Sequence, residues 1–250
     1  MAAEPEIVVK ANLEDLSREA AARFQRLAAD RIAAAGRFSV ALSGGSTPRA
    51  LYRLLGEPPS REAIDWPRVL LFWGDERFVP ADHPDSNYRL AREAFISRVP
   101  IPAGNVHPIP TEGDDPQAAA AQYEETLRHF LAVPEGEWPR FDLILLGLGA
   151  DGHTASLFPG SPALDEHRRL VAAAHAPKLG AWRLTLTPPV LRSARHVVFL
   201  VSGSGKASVL QEVLKGPFDP HRLPAQLVQP EKGDLTWLAD EAAASLLRRC

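Results

Sequence analysis

The sequence predicts an α/β fold: one doubly wound, mostly parallel sheet in a single domain spanning residues 1–250. Three observations predict it. Strand and helix patterns alternate β-α-β-α along the chain. The runs Val69-Leu70-Leu71-Phe72-Trp73 and Phe141-Asp142-Leu143-Ile144-Leu145-Leu146 are almost continuously apolar, as strands covered by helices on both faces are. Four strand patterns run into glycine-rich or charge-rich loops, and open parallel sheets bind ligands at the carboxyl ends of their strands.

Each element has a local reason. Ile7-Val8-Val9 is a short strand. From about Leu13 to Ala35 the apolar positions Leu16, Ala20, Phe24, Leu27 and Ile32 follow a helical period, and Gly36 is a fitting stop. Phe38 to Leu42 is a buried strand. Arg49 to Leu55 is helical, with Pro48 suited to its first turn. After the strand Val69–Trp73, Ser86 to Ile96 is helical, Val106 to Pro110 extended and Gln117 to Leu131 helical. The strand Phe141–Leu146 ends at Gly147. Arg183 to Thr187 alternates, as an antiparallel or edge strand does. His196 to Val201 is a strand followed by a helix to about Leu214. Leu227-Val228 reads as a short strand, Leu235–Leu238 as another, and Asp240 to Arg249 as a closing helix. No repeat with a period of roughly 20–50 residues recurs, which argues against a solenoid.

Composition narrows the class of function. Hydrophobic residues make up 45% and charged residues 24%, so the chain can bury a sizeable core. A net charge of -3 gives no global basic field. Nucleic acid and anionic membrane are therefore not expected partners, and a phosphate must be captured locally. The single cysteine, Cys250, can form neither an internal disulfide nor a cysteine metal site. Met1 to Glu6 are acidic and no apolar run approaches the ~18 residues that span a bilayer. The expected location is the cytoplasm.

A parallel sheet brings Ser43–Thr47, Gly74–Arg77, Gly147–His153 and Ser202–Lys206 to one edge. In the first loop, Gly44 and Gly45 let the backbone approach a phosphate, and Ser43, Ser46 and Thr47 add hydroxyls at a helix start. A tight turn with a Ser or Thr cap is the plain alternative. The Lys-Ser/Thr pair of a Walker loop is missing. Lys206, closing Ser202-Gly203-Ser204-Gly205-Lys206, can place a point charge on the same anion. Arg183 can fork a phosphate with two donors. Gly147-Leu148-Gly149-Ala150-Asp151-Gly152 matches G-x-G-x-x-G, but no long helix follows and no acid stands where a ribose would need it, so no nicotinamide site is expected. His153 follows these glycines in a position suited to a general base, with Asp151 or Asp75 to orient it. Asp75, Glu76 and Arg77 end a buried strand, where charges face either a cleft or a structural ion pair. The surroundings of His83 and His107 lack metal-ligand spacing, so no metal is expected.

Three blocks together carry a resemblance. Ser43-Gly44-Gly45-Ser46-Thr47-Pro48, Trp73-Gly74-Asp75-Glu76-Arg77-Phe78-Val79-Pro80 with Asp85-Ser86-Asn87-Tyr88, and Gly147 through Asp151-Gly152-His153-Thr154-Ala155-Ser156-Leu157-Phe158-Pro159-Gly160 resemble the 6-phosphogluconolactonase family in order and spacing, from about Ile7 to Leu247. The resemblance implies a Rossmann-like fold shared with glucosamine-6-phosphate deaminases. It also implies hydrolysis of 6-phospho-D-glucono-1,5-lactone to 6-phosphogluconate, the second step of the oxidative pentose phosphate pathway, with no cofactor. Deaminases continue after Asp-Gly-His into Ile-Ala-Phe-Asn-Glu-Pro. Here Thr154 to Pro159 replaces that run and its acid is missing, which favours lactone hydrolysis. On this resemblance Ser43–Thr47, Arg183 and Lys206 hold the 6-phosphate and His153 activates water. Arg77 or backbone N–H groups steady the oxyanion, and Asp75 or Asp151 orients the imidazole. A deaminase or isomerase, and a non-catalytic sugar-phosphate-binding protein, are the alternatives. A Gly-x-Ser-x-Gly esterase elbow is absent.

Overall fold

The computed structural model describes residues 4–176 and 180–247. Six strands form one parallel sheet in the order β1-β9-β8-β5-β2-β3: β1 Glu6–Lys10, β2 Phe38–Leu42, β3 Val69–Trp73, β5 Leu143–Gly147, β8 His196–Val201 and β9 Asp234–Asp240. Every ladder in it is parallel. The doubly wound α/β expectation therefore holds for this sheet.

The helices are α1 Leu13–Ala35, α2 Ser46–Leu55, α3 Ser60–Ala63, α4 Asn87–Ala94, α5 Pro116–Leu131, α6 Pro188–Ser193 and α7 Ala207–Lys215. The bounds of α1 follow from its caps. Asn12 accepts from the N–H of Asp15, and Gly36 adopts φ 74° and donates to the Ile32 carbonyl. Its buried face is Leu16, Ala20, Phe24 and Ala28, one stripe at helical spacing. None of the helices among the described residues is long and apolar enough to cross a membrane.

The core lies on both faces of the sheet. The fully apolar centres of β2 and β3 are buried, and Phe199 of β8 stacks on its register partner Trp237 of β9 with ring centroids 3.8 Å apart. Two buried tyrosines secure the strand exits. Tyr52 donates to the Ser43 carbonyl (2.8 Å) and accepts from the Ser43 N–H (3.0 Å), just past β2. Tyr123 does the same for Trp73 at the end of β3, at 3.1 and 2.9 Å. Each hydroxyl pairs backbone groups that would otherwise be buried unmatched.

A second sheet was not foreseen as such. β4 Asp75–Arg77, β7 Ala181–Leu186 and β6 Val171–Ala176 form a three-stranded antiparallel sheet in the order β4-β7-β6. The antiparallel reading of the Arg183 segment is borne out. Gly74 joins the two sheets: its N–H donates to the Leu42 carbonyl and its carbonyl accepts from Leu186, both at 2.8 Å. Two sequence expectations fail. Leu227-Val228 is not a strand; Pro224–Leu227 is a 3₁₀ turn, as a proline lacking an N–H donor favours. Residues 241–247 are turns rather than a helix, because β9 runs on through Asp240. The remainder of that expected helix lies outside the described residues.

Candidate active site

A cleft of about 280 Å³ opens where β2, β5 and β8 end. The chain leaves β2 towards β3 on one side and leaves β5 towards β8 on the other, so this is the switch point of the sheet, where α/β folds bind ligands. The volume lies just below the roughly 300–1,000 Å³ of most ligand cavities.

One wall is built for an anion. Ser43, Gly44, Gly45, Ser46 and Thr47 all line it. Gly45 precedes α2 at φ 108° with no side-chain cap, so the first N–H groups of the helix face the cleft without an internal acceptor. The Ser43 hydroxyl is buried and bonds to nothing among the described residues, as a donor reserved for a ligand would. Lys206 lines the facing side. Its turn is anchored from below by Asp240, which accepts from the Ser202 hydroxyl and the N–H groups of Gly203 (3.1 Å) and Ala243 (2.8 Å).

The second wall holds His153. Its Nδ1 lies 2.5 Å from Asp151 Oδ1, which leaves Nε2 as the ring nitrogen free to meet a ligand. Gly149 makes this pose possible: a Cβ there would stand 2.1 Å from Nδ1. Gly152 is equally constrained. It adopts φ 83°, and a Cβ would meet Leu223 at 2.6 Å. Partial burial pushes the Asp151 carboxyl up, but the charge and hydrogen bond of His153 outweigh this and hold it below its ordinary range. Ala155 occupies the left-handed region at φ 48° on the cleft wall. That conformation costs of order 1–3 kcal/mol. It is held by the Leu157 N–H to the Thr154 carbonyl and by the Thr154 hydroxyl to the Gly147 carbonyl, both at 2.9 Å.

The charges of β4 take three different roles. Asp75 faces the cleft but does not touch His153; its Oδ2 accepts from the Ser156 hydroxyl at 2.7 Å, and Asn87 donates to its carbonyl at 2.9 Å. Glu76 is buried beneath the cleft. It accepts from the N–H groups of Arg77, Asn87 and Tyr88 at 2.7–2.8 Å and from the Ser86 hydroxyl, capping α4. Burial pushes its carboxyl up against those donors. Arg77 lines the cleft and donates to the Asp85 carbonyl.

Of the residues predicted for the site, Ser43 to Thr47, Asp75, Arg77, His153 and Lys206 line one cleft. Asp151 stands behind His153. Arg183 is not among the lining residues; it is half-buried opposite Arg77 on the antiparallel ladder. Burial and then the charge of Arg77 lower its affinity for its proton. Sequence reasoning left out Asn87 and Ser156. Asn87 crosses over Gly44, where a Cβ would stand 1.8 Å from its Oδ1, and that oxygen is buried without a hydrogen-bond partner among the described residues. Its signal was the cap sequence Ser86-Asn87 at a helix start facing the glycines. Among the described residues no group of three or more His, Cys, Asp or Glu is placed to hold a metal ion.

The family profile described as "Glucosamine-6-phosphate isomerases/6-phosphogluconolactonase" matches residues 11–237. A 6-phosphogluconolactonase of Synechocystis sp. is 49% identical over 217 residues, covering 87% of this chain and 88% of that protein. The Homo sapiens 6-phosphogluconolactonase is 44% identical, covering 92% and 91%. The solved structure of a 6-phosphogluconolactonase from Trypanosoma cruzi superposes with a TM-score of 0.87 at 33% identity, covering 99% of this chain and 98% of that one.

Proposed function

The chain belongs to the family of glucosamine-6-phosphate isomerases and 6-phosphogluconolactonases, and we propose that it hydrolyses 6-phospho-D-glucono-1,5-lactone to 6-phosphogluconate with His153 as the general base. The observation that supports this reading is the pairing of His153 Nδ1 with Asp151, which leaves Nε2 free on a residue that lines the same cleft as the helix start after Gly45. The 6-phosphate sits against Ser43, Gly44, Gly45, Ser46, Thr47 and Lys206, and this fixes C1 near the imidazole. Nε2 takes a proton from water, and the hydroxide adds to C1. The carbonyl electrons move to oxygen, and the oxyanion is met by Arg77 or by backbone N–H groups. When the oxyanion collapses, the bond from C1 to the ring oxygen breaks. That oxygen takes the proton back from Nε2, and the product is an open-chain acid. Asp151 holds the tautomer that keeps Nε2 basic and stabilises the imidazolium. Asp75, kept in place by Ser156 and Asn87, and the unpartnered Asn87 Oδ1 accept hydrogen bonds from sugar hydroxyls. The chain would serve the second step of the oxidative pentose phosphate pathway in the cytoplasm.

The test is lactone turnover by His153→Ala, corrected for spontaneous hydrolysis. We expect a loss of about 10²–10⁴-fold in kcat. Near-full turnover by the variant would remove His153 from the mechanism. Ammonia released from glucosamine 6-phosphate by the wild-type protein would instead assign the deaminase reaction.

A further inference from the structure

The opposite end of the sheet, at the amino ends of β2, β5 and β8, carries a concentration of positive charge that lactone hydrolysis does not use. Arg31, Arg37, Arg140 and Arg195 line one groove of about 340 Å³, and three of them continue into an adjoining groove of about 450 Å³ beside Lys232. The chain as a whole is net negative, so this cluster is a local reversal of sign.

The cluster is under-neutralised from within. One buried carboxylate, Asp142, sits at its base. Its Oδ1 accepts from Arg31 Nε at 2.7 Å, and its Oδ2 accepts from the Ser39 N–H and hydroxyl, both at 2.9 Å. Arg195 Nε lies 3.3 Å from the same Oδ1, yet it is buried and makes no hydrogen bond. Three other carboxylates stand at the grooves. Glu231 is paired with Arg192. Asp234 lies 3.1 Å from His196 Nδ1, but burial weakens that imidazole's hold on a proton, so the contact does not neutralise Asp234. Asp142, Asp234 and Glu137 are then three carboxylates against four arginines and Lys232. Burial, then the charges of Arg140 and Arg31, make Arg195 a poorer cation than an arginine ordinarily is. Arg140 and Arg37 each spend one terminal nitrogen on a carbonyl, of Lys232 (2.6 Å) and Phe130 (3.1 Å). Guanidinium groups held this close repel one another, and a ligand of opposite charge relieves that repulsion while matching their forked donors. The first groove also has an apolar flank of Leu131, Val133 and Trp138.

We propose that this arginine cluster is a second anion site, separate from the catalytic cleft, that binds a small polyanion of the phosphate class carrying two or more negative charges. The ligand spans from Arg37 and Arg195 to Arg140 with Lys232, and Trp138 stands where a ring attached to the phosphates would rest.

Calorimetric titration of the full chain with inorganic pyrophosphate and, separately, with ADP tests this. Arg140 is exposed and donates to the Lys232 carbonyl, while Asp142 is held by Arg31 and Arg195, so Arg140→Glu leaves the buried pairing intact. It is expected to weaken both probes by about tenfold or more while lactone turnover is unchanged. Lys206→Ala, in the cleft, is expected to leave this binding unaltered. Equal affinity for the two probes assigns recognition to phosphate alone. Tighter binding of ADP, lost in Trp138→Ala, assigns the ring to the apolar flank. The proposal is overturned if neither probe binds at millimolar concentration, if Arg140→Glu binds like wild type, or if Lys206→Ala abolishes binding. None of these outcomes depends on the lactonase reading.

Discussion

The ring of His153 lies directly on Gly149: the space a Cβ would need at Gly149 is occupied by Nδ1 at 2.1 Å and Cε1 at 2.3 Å, with Asp151 Oδ1 at 2.7 Å. The glycine is therefore what lets the Asp151-His153 pair form against the backbone of its own loop. Gly149→Ala must push both side chains aside without removing either. Its kcat for the lactone is expected to fall about 10²-fold or more, approaching His153→Ala. Its thermal midpoint should move only slightly, because the loop is at the surface of the cleft. A variant with wild-type turnover would show that the ring works from another position.

Asp151→Asn separates the two carboxylates that the sequence left open as partners of His153. The amide can still contact Nδ1, but it cannot stabilise an imidazolium and it permits the wrong tautomer. A drop in kcat of about 10-fold or more, with KM nearly unchanged, is expected from steady-state kinetics. Asp75→Asn should instead raise KM, since Asp75 touches Ser156 and Asn87 rather than the base. If the two variants exchanged phenotypes, the assignments would have to be exchanged as well.

Much of this arrangement is legible in the sequence, and the reasons are specific. β3 and β5 are apolar throughout and β2 and β8 are so save for Ser39 and His196, without alternation, so burial on both faces, and hence a parallel sheet with its loops at one edge, follows from pattern alone. The Asp151-His153 pair is local to one loop. The illegible part is whatever depends on register between distant segments. β6 reads Val-Ala-Ala-Ala-His-Ala and β4 is only Asp-Glu-Arg, so neither has the β-branched or alternating character of a strand. The opposition of Arg77 to Arg183, and the crossing of Asn87 over Gly44, appear only once those strands pair. The expected closing helix does not form over residues 241–247, because Asp240 ends β9 and anchors the Ser202-Gly203 turn.

Glu76 has a structural task whose failure should be measurable as stability. Its two oxygens accept three backbone N–H groups and one hydroxyl in a buried position. Glu76→Gln replaces an acceptor by an N–H₂ group pointed at donors, and it removes the negative charge at the start of α4. A loss of about 1–3 kcal/mol is expected from urea unfolding at neutral pH, through a lower midpoint at unchanged slope. Turnover per folded molecule should fall too, because Asn87 hangs from the same cap.

His107 is expected to make stability depend on pH below neutrality. Its ring is buried between Phe72 and Phe130, with centroids at 4.8 and 3.8 Å, and its Nε2 has no hydrogen-bond partner among the described residues. Burial, and secondarily the charge of His129, lowers its pKa from 6.5 to about 4. Between those values the unfolded chain binds a proton at this residue and the folded chain does not. The contribution of His107 is therefore fully present above about pH 6.5 and is lost as pH drops towards 4. His107→Phe keeps the stack and abolishes the proton. The variant should match or exceed wild type at pH 7, since no nitrogen is left unmatched, and should lose less stability between pH 7 and pH 5. His196, also lowered chiefly by burial, retains part of the slope in both proteins. Chemical unfolding at the two pH values decides the matter: equal losses in variant and wild type would mean that His107 takes up its proton without unfolding the chain.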